Sequence, residues 1–73
     1  MQRFLLTRAR AVAYLLRVRR ATTDAIDNLR VGEAAVRLRE LDMLERMLLD
    51  VRAGRINEFR LDKPQTIEIA ITD

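Results

Sequence analysis

Ile56-Asn57-Glu58-Phe59-Arg60-Leu61-Asp62-Lys63-Pro64-Gln65-Thr66-Ile67-Glu68-Ile69-Ala70-Ile71 is the stretch that takes this chain out of the all-helical class. Phe59 and Leu61 alternate with Glu58 and Arg60, and Ile67, Ile69 and Ile71 alternate with Glu68 and Ala70. A period of two is the mark of a strand with one apolar face. Between the two runs, Asp62-Lys63-Pro64-Gln65 reads as a turn with Pro64 at its second position, where the fixed proline φ fits. These features predict a β-hairpin over about 56–61 and 66–71. A lone two-stranded hairpin is marginal in water. It must therefore lie on helices, join strands of another chain, or do both. Its Ile-rich last strand is expected to cap this domain's own core with its apolar face, with an edge open to β-augmentation as the other reading.

Everything before this stretch reads as helix. The second helical segment spans about 33–53 and stops at Gly54, a common residue just past a helix end. Leu41, Leu44, Leu48 and Val51 follow a 3-4-3 spacing, which predicts a short coiled-coil-like seam. Val36, Met43 and Met47 form a second apolar patch on another side. Glu33–Arg37, Asp42–Arg46 and Arg46–Asp50 are opposite charges four residues apart, each expected to contribute about 0.3 kcal/mol on a solvated face.

The first helical segment is expected over about 2–29. It has no Gly or Pro before the break and is rich in Ala, Leu and Arg, all strong helix formers. Projected at 100° per residue, Phe4, Ala11, Leu15 and Val18 fall on one stripe and Leu5, Ala9, Val12 and Leu16 on another. Arg8 and Arg19 lie between the stripes. Arg3, Arg10 and Arg17 repeat every seven residues as a basic ridge. Two apolar stripes call for two things to bury against. Within 21–32 two readings stay open: one continuous helix to Leu29, or a short extra helix capped by Thr22, Thr23 or Asp24. Asn28 and Gly32 mark the break in either case. The fold expected is thus α+β and mainly α: an antiparallel helical hairpin followed by a β-hairpin, in a single small domain.

Composition bounds what such a chain can do. With 73 residues it buries only about 60% of its unfolded surface. Ordering each residue costs roughly 1.5 kcal/mol, which about cancels the gain from so small a core. There is no Cys, so no disulfide can staple it. Yet 49% of the residues are hydrophobic, more apolar surface than one small monomer readily covers. Oligomerisation is the staple that remains. His, Cys, Ser and Trp are all absent, which removes the usual nucleophile–base pairs and the usual neutral-pH base. The expectation is a protein that is not an enzyme and holds no cofactor, metal or small-molecule substrate. Asp24-x-x-Asp27 is too few ligands for an oxygen-only metal site, and a place at a helix N-terminus explains these acids better.

Charge is uneven along the chain. Residues 1–23 hold six Arg and no acid, whereas residues 24–73 hold eight basic and eleven acidic side chains. Such asymmetry points to an anionic counterpart for the N-terminal segment. All the basic residues but Lys63 are Arg, which suits phosphate and interface carboxylates alike.

The expected function is that of a non-catalytic structural or adaptor subunit, a homo-oligomer or a partner of another protein. The seam inside the protomer would be Leu5, Val12, Leu16, Leu41, Leu44, Leu48 and Val51. The interface would be Phe4, Leu15, Val18, Met43, Met47, Ile67, Ile69 and Ile71. Arg3, Arg10 and Arg17 would meet an acidic neighbour or phosphate. The second reading is a small nucleic-acid-binding regulatory protein using the Arg cluster. It lacks an aromatic platform for single strands, because Phe4, Tyr14 and Phe59 are scattered. The third reading, a membrane-surface helix, is disfavoured because Arg8 and Arg19 interrupt the apolar face. The expected setting is the cytoplasm or the interior of a virion. The Arg-rich, acid-free start also resembles a mitochondrial presequence, although it lacks Ser.

Overall fold

The computed structural model describes residues 2–62 and 66–73. Five elements follow one another: β1 (Gln2–Leu6), α1 (Arg8–Ile26), α2 (Val31–Arg52), β2 (Glu58–Leu61) and β3 (Ile67–Ile71). The helices form a hairpin, and the strands form one sheet in the order β1-β3-β2. The fold is α+β and mainly α, as expected. β2 and β3 pair antiparallel, with Phe59 opposite Ile69 and Leu61 opposite Ile67, which is the expected hairpin. Its turn, with Lys63, Pro64 and Gln65, lies outside the described residues.

Two expectations are corrected. Residues 2–6 form a strand, not the first turn of a helix, and pair parallel with β3 so that Phe4 lies opposite Ile69 and Leu6 opposite Ile71. β3 is therefore the middle strand, and the edges are β1 and β2. The physical reason is that a two-stranded ribbon leaves one side of its Ile-rich strand unpaired. Segment 2–6 supplies five residues of ladder there, which outweighs the helical preference of Gln, Arg and Leu.

The sheet has one covered and one open face. Phe59, Leu61, Ile67 and Ile69 join Ala11 and Leu15 of α1 and Leu44, Leu48 and Val51 of α2 in a single buried cluster. Leu15, Ile69 and Val51 are the largest side chains fully enclosed in it. On the open face Arg3 bridges two strands, 3.2 Å from Glu68 and 3.7 Å from Glu58. These are surface pairs, worth well under about 1 kcal/mol each.

Local chemistry explains the helix boundaries. Thr7 caps α1, its hydroxyl accepting from the Arg10 amide at 3.2 Å. α1 continues through the 21–26 region to Ile26. Thr22 and Thr23 bond back to the carbonyls of Val18 and Arg19, both at 2.9 Å, instead of capping a new helix. The break falls between Ile26 and Val31, so Gly32 sits inside α2 rather than ending a helix. Of the three i,i+4 pairs expected, Asp42–Arg46 forms at 3.0 Å. Arg37 turns instead to Glu40 at 2.9 Å, and Asp50 to Arg55 at 2.8 Å.

The end of α2 is a Schellman turn. Gly54 has φ +75°, its amide donates to the Val51 carbonyl at 3.1 Å, and the Arg55 amide donates to the Asp50 carbonyl at 2.9 Å. The Arg55–Asp50 ion pair closes the same turn. Gly54→Ala is expected to cost about 1 kcal/mol, because a Cβ disfavours this left-handed conformation while nothing crowds the site. Urea titration by circular dichroism would read that loss as a lower midpoint with an unchanged slope.

Candidate interaction surfaces

α1 is about 28 Å long and α2 about 33 Å, whereas a five-residue strand spans only about 16 Å. The sheet therefore covers the first half of α1 and the second half of α2. No residue from Leu16 to Met43 is buried. The outer half of the hairpin is two helices side by side, with no third layer among the described residues. The radius of gyration, 12.7 Å, exceeds the value of about 11 Å expected of a compact chain this long, and the extents are 40 × 26 × 15 Å.

On the side where the sheet ends, a groove of about 920 Å³ runs along this overhang. Val18, Ala21 and Ala25 of α1 face Met43 of α2 across it. It continues the line of Ala11 and Leu15 past the point where strands cover it. Its rim holds both signs of charge: Arg37 with Glu40, and Arg60 with Asp62 at 3.1 Å.

A second hollow, of about 440 Å³, lies between the β1 edge and the flank of α1. Phe4, Leu6 and Ile69 form its floor, Ala13 and Tyr14 its wall, and Arg10 and Arg17 its rim. Phe4 is 44% exposed here. Among the described residues, no side-chain hydrogen bond or ion pair engages the guanidinium of Arg10 or Arg17.

The side chains expected at an interface divide into three groups. Phe4 and Met43 are exposed, and Val18, Met47 and Ile71 are half-buried, so all five reach the surface. Leu15, Ile67 and Ile69 do not, and their assignment to an interface is corrected: the sheet covers that stripe of α1. Leu5, expected in the inner seam, is 68% exposed on the open face of the sheet, because a strand places it opposite Phe4 and Leu6. Val12, Leu16 and Leu41 are half-buried, while Leu44, Leu48 and Val51 are in the core. The basic ridge is also revised. Arg10 and Arg17 share the outer flank of α1, but Arg3 belongs to the opposite face of the sheet with Glu68.

Arg8 is the structural tie that its place in the sequence pattern does not show. It lies between the apolar stripes of α1, where a charge looks like an obstacle. Its guanidinium donates to the Val51 carbonyl at 2.6 Å, the Ile56 carbonyl at 3.3 Å and Asn57 Oδ1 at 2.7 Å. It thereby ties the start of α1 to the end of α2 and the loop behind it. Its backbone amide donates to the Asp73 carboxylate, which also places a negative charge at the α1 N-terminus.

No helix among the described residues is long and apolar enough to cross a membrane. No group of three or more metal-ligating side chains occurs among them. No curated protein and no solved structure matches the chain. Residues 2–72 match the family described as Uncharacterized protein BTH_I2711-like. That match takes in all five elements and both hollows, and the chain belongs to the BTH_I2711-like family.

Proposed function

We propose that this protein is a non-catalytic assembly or adaptor subunit that self-associates through the open side of its helical hairpin. The observation that carries the reading is the absence of any buried residue from Leu16 to Met43. Two helices without a third layer bury little apolar surface, and most helical stability in proteins comes from tertiary packing. A second hairpin laid into the groove would complete a four-helix arrangement and enclose Val18, Ala21, Ala25 and Met43. The small residues Ala21 and Ala25 let a partner helix approach closely. A two-fold contact brings each patch against its own copy, and a rim with both signs of charge suits that symmetry. The absence of His, Cys and Ser supports a non-catalytic role, and the absence of Cys fits a reducing setting such as the cytoplasm or a virion interior.

Size exclusion with light scattering, read at 260 and 280 nm, tests this directly. The wild-type protein is expected as a discrete oligomer with no excess absorbance at 260 nm. Ala21→Glu combined with Met43→Glu is expected to give a monomer of unchanged helicity, because both side chains are exposed in the protomer. A wild-type monomer at tens of micromolar would sink the reading. Nucleic acid carried through the column would shift the function to the unpaired Arg side chains of α1.

A further inference from the structure

The β1 edge and the hollow beside it form a second open surface, which meets the hairpin groove at Tyr14 and Arg17. In a parallel ladder, the backbone groups of alternate residues point to the same neighbour. The Gln2 amide donates to the Thr66 carbonyl, and the Leu6 carbonyl accepts from the Thr72 amide. Gln2, Phe4 and Leu6 thus spend their backbone groups on β3. The N–H and C=O groups of Arg3 and Leu5 point outward, to an edge where no strand follows among the described residues. A strand added there would send alternate side chains under the flank of α1, onto Phe4 and Tyr14.

The charge on that rim selects the occupant. Arg10 and Arg17 stand about 10 Å apart along α1, two turns on one flank. Side chains at positions i and i+4 of a strand are about 13 Å apart, within reach of two such long, flexible cations. Both guanidiniums lack partners among the described residues. A second copy of β1 would bring Arg10 and Arg17 against the same residues, and like charges in apposition disfavour it. The β2 edge offers no equivalent, since Phe59 and Leu61 beneath it are buried.

We infer that β1 accepts an extended acidic segment of a partner protein by β-augmentation. The segment carries acid, apolar and acid side chains at successive alternate positions: the apolar one over Phe4 and the acids on Arg10 and Arg17. This surface adjoins the self-association groove at Tyr14 and Arg17, which line both, whereas Leu5 and Arg10 do not line that groove and so test the β1 edge alone.

The probe is a fluorescein-labelled peptide, Thr-Glu-Thr-Leu-Thr-Glu-Thr, titrated with the full-length protein by fluorescence anisotropy at low salt. Saturable binding is expected, weakening as salt rises. Leu5→Pro removes an outward N–H without costing the ladder a bond, since proline is tolerated on an edge with its nitrogen facing out. It should weaken binding by roughly tenfold or more while melting as wild type does. Arg10→Glu, on an exposed flank, should do likewise, and the same peptide N-methylated throughout should not bind. If Leu5→Pro proves unfolded, the Arg10→Glu and N-methylated arms still decide. Equal binding of the wild type and Arg10→Glu would overturn the inference. So would binding of an eight-residue oligothymidylate by a protein that ignores the peptide.

Discussion

Leu15→Asp is expected to abolish the fold outright, leaving a chain with little helical circular dichroism and no cooperative melt. Leu15 is fully enclosed, in contact with a cluster that contains no polar side chain. Burying a carboxylate there without a partner costs several kcal/mol. The lost packing of a leucine adds about 3 kcal/mol. Small domains have a total stability of about 5 kcal/mol or a little more, so the two losses together exceed what the fold has. Leu15→Ala removes the packing alone and should give a protein still folded but destabilised by about 3 kcal/mol. A folded, merely dissociated Leu15→Asp protein would show that the sheet does not cover this stripe.

Arg8→Ala should be the most damaging change at any charged position, with a loss of about 2–3 kcal/mol. The side chain is half-buried, and it serves two carbonyls and Asn57 at once. The Val51 carbonyl lies in the last turn of α2 and accepts from Arg8 in addition to the Gly54 amide of the Schellman turn. A cation there also complements the negative end of the helix dipole. For a domain of this size the melting temperature should fall by roughly 10 °C or more. Arg8→Lys should recover less than half of the loss, because an ammonium cannot span the three acceptors that a planar fork reaches. Differential scanning calorimetry of the three proteins settles both points. Full recovery by Lys would reduce the role of Arg8 to simple charge.

These two residues also show where the sequence is legible and where it is not. The β2–β3 pair could be read because Phe59, Leu61, Ile67, Ile69 and Ile71 alternate strictly with other residues, and α2 because Leu44, Leu48 and Val51 repeat at helical spacing. β1 could not. Gln2-Arg3-Phe4-Leu5-Leu6 contains no β-branched residue and runs without Gly or Pro into a true helix. Only Thr7, a good N-cap, marks the change. The pairing that makes this segment a strand lies at the far end of the chain, beyond any local window. Which stripe of α1 turns inward is equally non-local. Ala11, Leu15 and Val18 are no more apolar than Ala9, Val12 and Leu16, and the sheet alone decides between them. Of the surface sites, Phe4, Val18 and Met43 could be picked out as apolar residues in excess. The edge that sets Phe4 beneath Arg10 and Arg17 depends on β1 and was not visible.

The order in which the strands are made has a consequence for the protein's life before it is folded. β3 sits between β1 and β2, yet it is synthesised after both. Arg3 and Glu68, neighbours in the finished sheet, are 65 positions apart. The helical hairpin can form from local contacts as it emerges, but the sheet has no axis to gather around until the last strand arrives. At roughly 5–20 residues per second, the nascent hairpin spends on the order of a second showing Ala11, Leu15, Leu44 and Leu48 to solvent. That interval is a window for a chaperone or a protease. A message broken before Ile67 would yield no smaller working version of the protein, only an uncovered helical pair marked for removal.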